Sequence, residues 1–221
     1  NADITTGLVG HWKFDEGTGI TAGDSSGNNN TGTLTNGPTW VAGKIGQALS
    51  FDGVDDFIDT GTSSSLHPTT ALSVSTWVKR TATLSAFTGI VSSRNNVSGN
   101  GGYLLVGHNI STDFIRFYID TTGSGGWAFA YSNSALPYDV WTHLTGTWDG
   151  TTVRLYVNGV LQNTTAAAAS IVYPASPTTN NFIAKYGSTS WPGYIDEVRV
   201  YNRALTAAEV LELYNYTGAT P

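Results

Sequence analysis

The chain has 221 residues and a formal net charge of −6, with 40% hydrophobic and only 12% charged residues and no cysteine. Charged residues usually make up ~25% of a globular chain; here Gly, Ser, Thr and Asn take their place, as suits strands, turns and exposed loops. The absence of cysteine excludes disulfides, thiolate metal sites and cysteine nucleophiles. An acidic chain with no basic run is a poor partner for nucleic acid or anionic membranes, and no apolar run of about 18 residues is long enough to span a bilayer as a helix.

Residues Asn1 to Thr6 carry no basic-plus-apolar leader, so either a leader has been removed or the domain belongs to a longer chain. No linker, composition break or internal repeat divides the sequence, which predicts a single domain over residues 1–221. The Gly- and Asn-rich stretch Gly23 to Asn36 reads as a loop. Leu72, Val74, Thr76 and Val78 then alternate with Ser73, Ser75, Trp77 and Lys79, the period of a strand. Asn95 to Gly102 reads as a second loop, Phe114 to Ile119 as a strand, and Thr121 to Gly126 as a third loop. From Trp141 the pattern predicts three consecutive antiparallel strands. Asp149-Gly150 and Asn158-Gly159 mark the two tight turns, because both pairs tolerate positive φ. Near the C-terminus, Thr206-Ala207-Ala208-Glu209 is a capping box, with Leu205 and Val210 placed as a hydrophobic staple. Leu211 and Tyr214 continue an apolar stripe, so a short helix is expected to lie against the strands.

Four blocks carry a family resemblance. They are Gly10-His11-Trp12-Lys13-Phe14-Asp15-Glu16-Gly17 followed by Asp24-Ser25-Ser26-Gly27-Asn28; Gly46-Gln47-Ala48-Leu49-Ser50-Phe51-Asp52-Gly53-Val54-Asp55-Asp56-Phe57-Ile58; Trp141-Thr142-His143-Leu144 through Asn158-Gly159; and Gly193-Tyr194-Ile195-Asp196-Glu197-Val198-Arg199-Val200-Tyr201-Asn202-Arg203-Ala204-Leu205. In this order they resemble a laminin-G-like, concanavalin A-like domain of the bacterial type. The resemblance implies an all-β fold: a two-sheet antiparallel β-sandwich, or jelly roll, with a short C-terminal helix. It implies lectin-like carbohydrate binding in a secreted or cell-surface protein, with protein adhesion or a spacer role as the alternative. One fold hosts many activities, so function has to be argued from the site.

The resemblance also implies a structural calcium ion tying an early loop to the C-terminal strand. Asp24 and Asp196 are the matching carboxylates, with Asn28 and Asn30 as further oxygen donors of the kind calcium takes. The alternative for Asp24 is a turn in which the side chain caps its own backbone. Asp52, Asp55 and Asp56 form a second acidic cluster, read as a turn between strands.

For a sugar, stacking rings and a few oriented polar groups are needed. Of the 7 Trp residues, Trp12, Trp77, Trp141 and Trp148 sit in predicted strands and are read as packing residues. Trp127, at the end of a glycine-rich loop, and Trp191, beside Pro192, are read as exposed. Tyr103 and Arg116 are expected to project from a sheet, and Arg94 and Asn95 to supply hydrogen bonds, with Asn96, His108 and Asn109 nearby. Asn96-Val97-Ser98 and Asn163-Thr164-Thr165 are triplets that a chain this rich in Asn, Ser and Thr yields by chance.

Catalysis finds little support. Retaining glycoside hydrolysis needs two carboxyl groups about 5 to 5.5 Å apart. The four glutamates are Glu16, Glu197, Glu209 and Glu212, and the adjacent Asp196 and Glu197 are expected on opposite faces of a strand. There is no Gln-x-His run.

Overall fold

The computed structural model of the protein describes residues 4–84, 87–93, 101–109, 113–123, 126–173 and 180–218. Arg94 and Asn95 lie outside these residues, as does Asn96. In chain order the strands are β1 Leu8–Trp12, β2 Thr21–Ala22, β3 Gly32–Thr35, β4 Thr39–Ala42, β5 Gln47–Asp52, β6 Phe57–Asp59, β7 Leu72–Arg80, β8 Thr88–Ser92, β9 Tyr103–Asn109, β10 Asp113–Asp120, β11 Trp127–Tyr131, β12 Thr142–Trp148, β13 Thr152–Val157, β14 Val160–Ala166, β15 Phe182–Ile183, β16 Lys185–Tyr186, β17 Thr189–Ser190 and β18 Pro192–Tyr201. A helix, α1, spans Ala207–Asn215. Part of the stretch read as a loop from Gly23 to Asn36 is strand: Gly32–Thr35 pairs with both β2 and β6.

The first sheet has the order β14-β13-β12-β7-β18-β5-β4, with β1 also paired to β18; the second runs β11-β10-β9-β8-β15-β6-β3-β2. The predicted sandwich is therefore present. Its core follows from strand alternation, since successive side chains leave opposite faces. From the first sheet, Leu72, Val74 and Val78 of β7, Leu144 and Trp148 of β12, and Ile195, Val198 and Val200 of β18 point inward. They meet Leu105 of β9 and Ile115, Phe117 and Ile119 of β10 from the second. The sheets come closest where Gly146 lies under Phe117; a Cβ on residue 146 would sit 2.2 Å from the Phe117 ring.

The turns are formed as their residues dictate. Asn158 and Gly159 have φ of 50° and 77°, as a two-residue hairpin turn of the mirror-image type requires. Asp149 accepts from the backbone N–H of Thr151 and Thr152 at 2.9 and 2.8 Å.

Helix α1 closes the outer face of the first sheet. Both halves of the Thr206–Glu209 capping box are made, and Arg203 grips Glu209 with both terminal nitrogens, at 2.9 and 2.6 Å. Leu205 and Val210 are buried with Tyr156, Tyr201 and Leu213. Leu211 departs from the expected stripe: it is 47% exposed, because from Val210 the sheet-facing positions of a 3.6-residue helix are Leu213 and Tyr214. The Tyr214 ring stacks on Trp77 at 5.6 Å. Among the described residues no helix is long and apolar enough to cross a membrane.

Beneath α1 lies His143, whose Nε2 is 2.9 Å from Ser75 Oγ while its Nδ1 has no partner. Burial, reinforced by the Arg199 charge and opposed by Glu197, pushes its pKa down to about 3.

Two outcomes follow from this packing. Gly146→Ala forces a methyl group into the Phe117 ring and lowers unfolding stability by about 1–3 kcal/mol, read as a shift in denaturant midpoint. Because His143 titrates lower in the folded chain than in the unfolded one, the unfolded state binds the extra proton, and stability falls as pH drops from about 6.5 towards 3. His143→Gln should make that fall shallower, measured as the denaturant midpoint at pH 7 and pH 4.

Candidate functional site

Among the described residues no helix covers the outer face of the second sheet. Alternation along β9, β10 and β11 places Leu104, Val106 and His108, then Phe114, Arg116, Tyr118 and Asp120, then Trp127, Phe129 and Tyr131 on this face. Register sets them in rows: Val106 opposite Arg116 opposite Tyr131, and Leu104 opposite Tyr118 opposite Phe129. Small inward residues, Ala128 and Ala130, separate the three rings of the edge strand β11.

The β16–β17 hairpin borders this face. It packs where β8 has Gly89, whose missing Cβ would lie 2.1 Å from the backbone of Lys185, and Ser92 Oγ donates to the Lys185 carbonyl at 2.8 Å. The hairpin thereby brings Tyr186 beside Leu104, Val106 and Tyr118. Phe87 joins from the loop before β8, edge-on to His108 at 4.4 Å and 5.9 Å from Tyr186.

The rings grade from buried to open. Tyr118 is buried, Trp127 and Phe129 are half-buried, and Phe87 and Tyr131 are 37% and 41% exposed. Tyr118 meets Trp127 edge-on at 6.0 Å and Phe129 at 5.0 Å. Arg116 Nη1 donates to the Tyr118 hydroxyl at 2.9 Å, and its guanidinium carbon lies 4.8 Å from the Phe129 ring centre. Arg116 Nε is shielded from water with no hydrogen-bond partner. Burial raises the Tyr118 phenol, against the pull of Arg116. Burial, and then the Arg116 charge, hold His108 below its ordinary value, so its ring is neutral at neutral pH. Among the described residues the result is an apolar face with graded rings and the Arg116 cation, a combination suited to the C–H faces and hydroxyls of a sugar.

Of the residues expected here, Arg116 and Trp127 are on this face. Tyr103 and Trp191 are corrected. Tyr103 is one residue out of phase with Leu104, so it points into the core, 1% exposed, and burial drives its phenol well above the usual value. Trp191 precedes β18 with its backbone N–H bonded to Ala184 at 2.9 Å and its ring wholly buried in the core. Phe87, Phe129, Tyr131 and Tyr186 were missed. The period-two run Trp127-Ala128-Phe129-Ala130-Tyr131 was a legible signal for the β11 rings.

The expected calcium ligands are each engaged in hydrogen bonds within the fold. Asp24 Oδ1 accepts from the backbone of His11 and Ser26, and Oδ2 from Ser26 Oγ and the Asn30 backbone, all at 2.9 Å. It is the side-chain-capped turn. Buried Asn30 turns its amide to the Val9 carbonyl at 2.8 Å and Ser65 at 3.0 Å, and exposed Asn28 donates to Ser26 Oγ at 3.1 Å. Asp196 works elsewhere, its Oδ2 accepting from Lys44 and Ile45 N–H at 2.9 Å. The carboxylates that do converge are Asp52, Asp55 and Asp56, with ligand atoms within 4.8 Å of one another. Their loop is also a turn: Asp52 Oδ1 accepts from Val54 N–H at 2.8 Å, and Asp56 Oδ2 from Asp52 N–H at 3.0 Å. Backbone hydrogen bonds hold Asp52 low, while burial raises Asp56.

Asp196 and Glu197 do not take opposite faces. A bulge shifts the register between Asp196 and Arg199, with Glu197 at φ 51°, and both carboxyl groups leave the core side. Both are shut beneath α1, 0% and 4% exposed. Burial and the neighbouring Glu197 push Asp196 up to about 8. Glu197, despite burial, is held low by His11 at 2.8 Å and Arg199 at 2.7 Å.

No curated protein sequence matches the chain. Among solved structures, domain 4 of AbnA, a GH43 extracellular arabinanase from Geobacillus stearothermophilus in complex with arabinotriose, is 25% identical, with 94% of this chain and 98% of that one covered at a TM-score of 0.76. The binding domain of Paraclostridial Mosquitocidal Protein 1 is 17% identical, with 96% and 53% covered at 0.75. The binding domain of Botulinum neurotoxin DC, solved in complex with SialylT, is 15% identical, with 96% and 52% covered at 0.69. The chain spans about half of these toxin domains, which at such identity share its fold alone. The family model described as the concanavalin A-like lectin/glucanases superfamily matches residues 51–211, and with the two-sheet sandwich on the page, the chain belongs to that family.

Proposed function

We propose that this chain is a non-catalytic, lectin-like carbohydrate-binding module of a secreted or cell-surface protein, one part of a larger multidomain chain. The observation that carries the reading is the row Trp127, Phe129 and Tyr131 on the edge strand β11, backed by Tyr118 and Arg116, with Tyr131 41% exposed. An edge row of rings accepts a sugar chain lying along the strand without a deep pocket. The likeness to domain 4 of the arabinanase over nearly the full length of both chains supports it, because that domain was solved with arabinotriose. The paired Asp196 and Glu197 are engaged with the chain's own Lys44, Ile45, His11 and Arg199 under a helix, which leaves them no route to a glycosidic bond. The second reading, a protein-binding adhesion or spacer module, applies if no glycan binds.

A glycan array followed by calorimetry tests this. Trp127→Ala, with its circular dichroism and unfolding midpoint unchanged, should weaken binding of the best glycan about tenfold, as loss of a stacking ring at a binding centre does. An array on which the wild-type chain binds no glycan would replace the sugar reading with the adhesion one.

Structural calcium belongs to the same reading, with its place moved to Asp52, Asp55 and Asp56. Calcium at a hundredfold excess over its dissociation constant stabilises a folded chain by about 2.7 kcal/mol. The unfolding midpoint should therefore rise from EDTA to millimolar calcium, and Asp55→Asn should abolish the rise. Asp24→Asn should lower the midpoint equally in both conditions. Equal midpoints for the wild-type chain in EDTA and calcium would remove the ion.

A further inference from the structure

We propose that the sugar taken by the outer face of the second sheet is an acidic one, and that Arg116 binds its carboxylate. This rests on the reading of that face as the glycan site and names the class of glycan. Arginines in this chain are otherwise spoken for: among the described residues Arg80 pairs with Asp113, Arg154 with Asp149, Arg199 with Glu197 and Arg203 with Glu209. Arg116 alone of the described arginines has no carboxylate. It stands at the middle of the grid, opposite Val106 on one side and Tyr131 on the other.

Its present contacts are neutral. One terminal nitrogen donates to the Tyr118 hydroxyl at 2.9 Å, and the Phe129 face lies 4.8 Å from the guanidinium carbon. The Tyr118 hydroxyl and the Phe129 ring together position the group, as neighbouring aromatics do for guanidinium. The Nε–H has no acceptor and is shielded from water, so the guanidinium gains a hydrogen bond when it turns its Nε edge to an incoming carboxylate. The planar fork of donors matches the two oxygens of a carboxylate; a neutral sugar hydroxyl satisfies only one of them. His108, near on the same face, is kept low by burial and by Arg116 itself, which leaves Arg116 as the charge of the patch among the described residues. The nearest aligned acid on this face, Asp120, is fully buried and accepts from Gly101, Thr122 and Gly123 N–H groups.

The chain's net charge of −6 narrows the ligand further. At physiological salt, fields beyond about 8 Å are screened, so one carboxylate at Arg116 is accommodated, while a densely charged polyanion is repelled by the rest of the surface. The fitting ligand is an oligosaccharide with an isolated or terminal carboxylated sugar, a uronic or a sialic acid, beside neutral residues that lie on the rings of β11.

The test is calorimetry of the wild-type chain, Arg116→Gln, Arg116→Lys and Trp127→Ala against sialyl-terminated, glucuronyl-terminated and galacturonyl-terminated oligosaccharides. Each has a matched neutral partner, desialylated or with the carboxyl reduced to the alcohol. Unfolding midpoints establish that each variant is folded. The expected result is an acidic-over-neutral preference of about tenfold or more in the wild-type chain, seen with one of the three acids. That preference should fall to about one in Arg116→Gln, persist in part in Arg116→Lys, and weaken with added salt. Equal affinity for acidic and neutral partners, or a preference that survives Arg116→Gln, overturns the acidic assignment while leaving the face as the sugar site. Absence of binding to every oligosaccharide, acidic and neutral, overturns the site reading and this inference together.

Discussion

Two β-sheets can bury only one face of each against the other, and the rest of this structure is a response to that constraint. The inner faces are filled by the period-two apolar positions, to the point that Phe117 occupies the space a side chain at Gly146 would need. Each sheet is left with an outer face made of the intervening residues, and the two are finished differently. The first sheet's is roofed by α1, over Tyr156, Tyr201 and Leu205. Among the described residues, the second sheet's receives the small β16–β17 hairpin, whose Tyr186 packs with Leu104, Val106 and Tyr118.

Burial also decides which charges the surface can use. Under α1 the polar groups are locked together: Glu197 between His11 and Arg199, His143 against Ser75, Asp196 against the backbone of Lys44 and Ile45. Ionised groups out of water persist when paired, and Glu197 is paired in this way within the fold. Arg116 is the contrasting case, a cation held by a phenol and a ring rather than by an acid. Asp24 is likewise held within the fold, accepting from the N–H groups of its own loop and of β1.

What was legible in the chain depended on range. The Asn158-Gly159 turn, the Thr206–Glu209 cap, the Leu205–Val210 staple and the alternation of β7 and β12 are set by neighbours a few residues apart, and each is present. The site was legible only in part. Arg116 was placed correctly because a strand around it was evident. Trp127 was found for the wrong reason, as a loop residue, when it opens an edge strand with Phe129 and Tyr131. Tyr103 was assigned to the wrong side because a strand's phase is fixed by its partners, here Ile119 of β10. Trp191 was read as exposed from the Pro beside it, yet the tight Gly193 junction with the backbone of Lys79 carries it inward.

By itself the sequence determined strands, tight turns and a capped C-terminal helix, because hydrophobic period, turn chemistry and capping act over short distances and need no knowledge of the partner; the two-layer sandwich was implied by the resemblance of its four blocks to a known family. Only the tertiary structure decided which outer face the helix covers, that a bulge turns Asp196 and Glu197 to one side, and that Phe87 and Tyr186 join the rings of β10 and β11. Those outcomes rest on register and on contacts between segments many residues apart, where a shift of a single position exchanges the core for the surface.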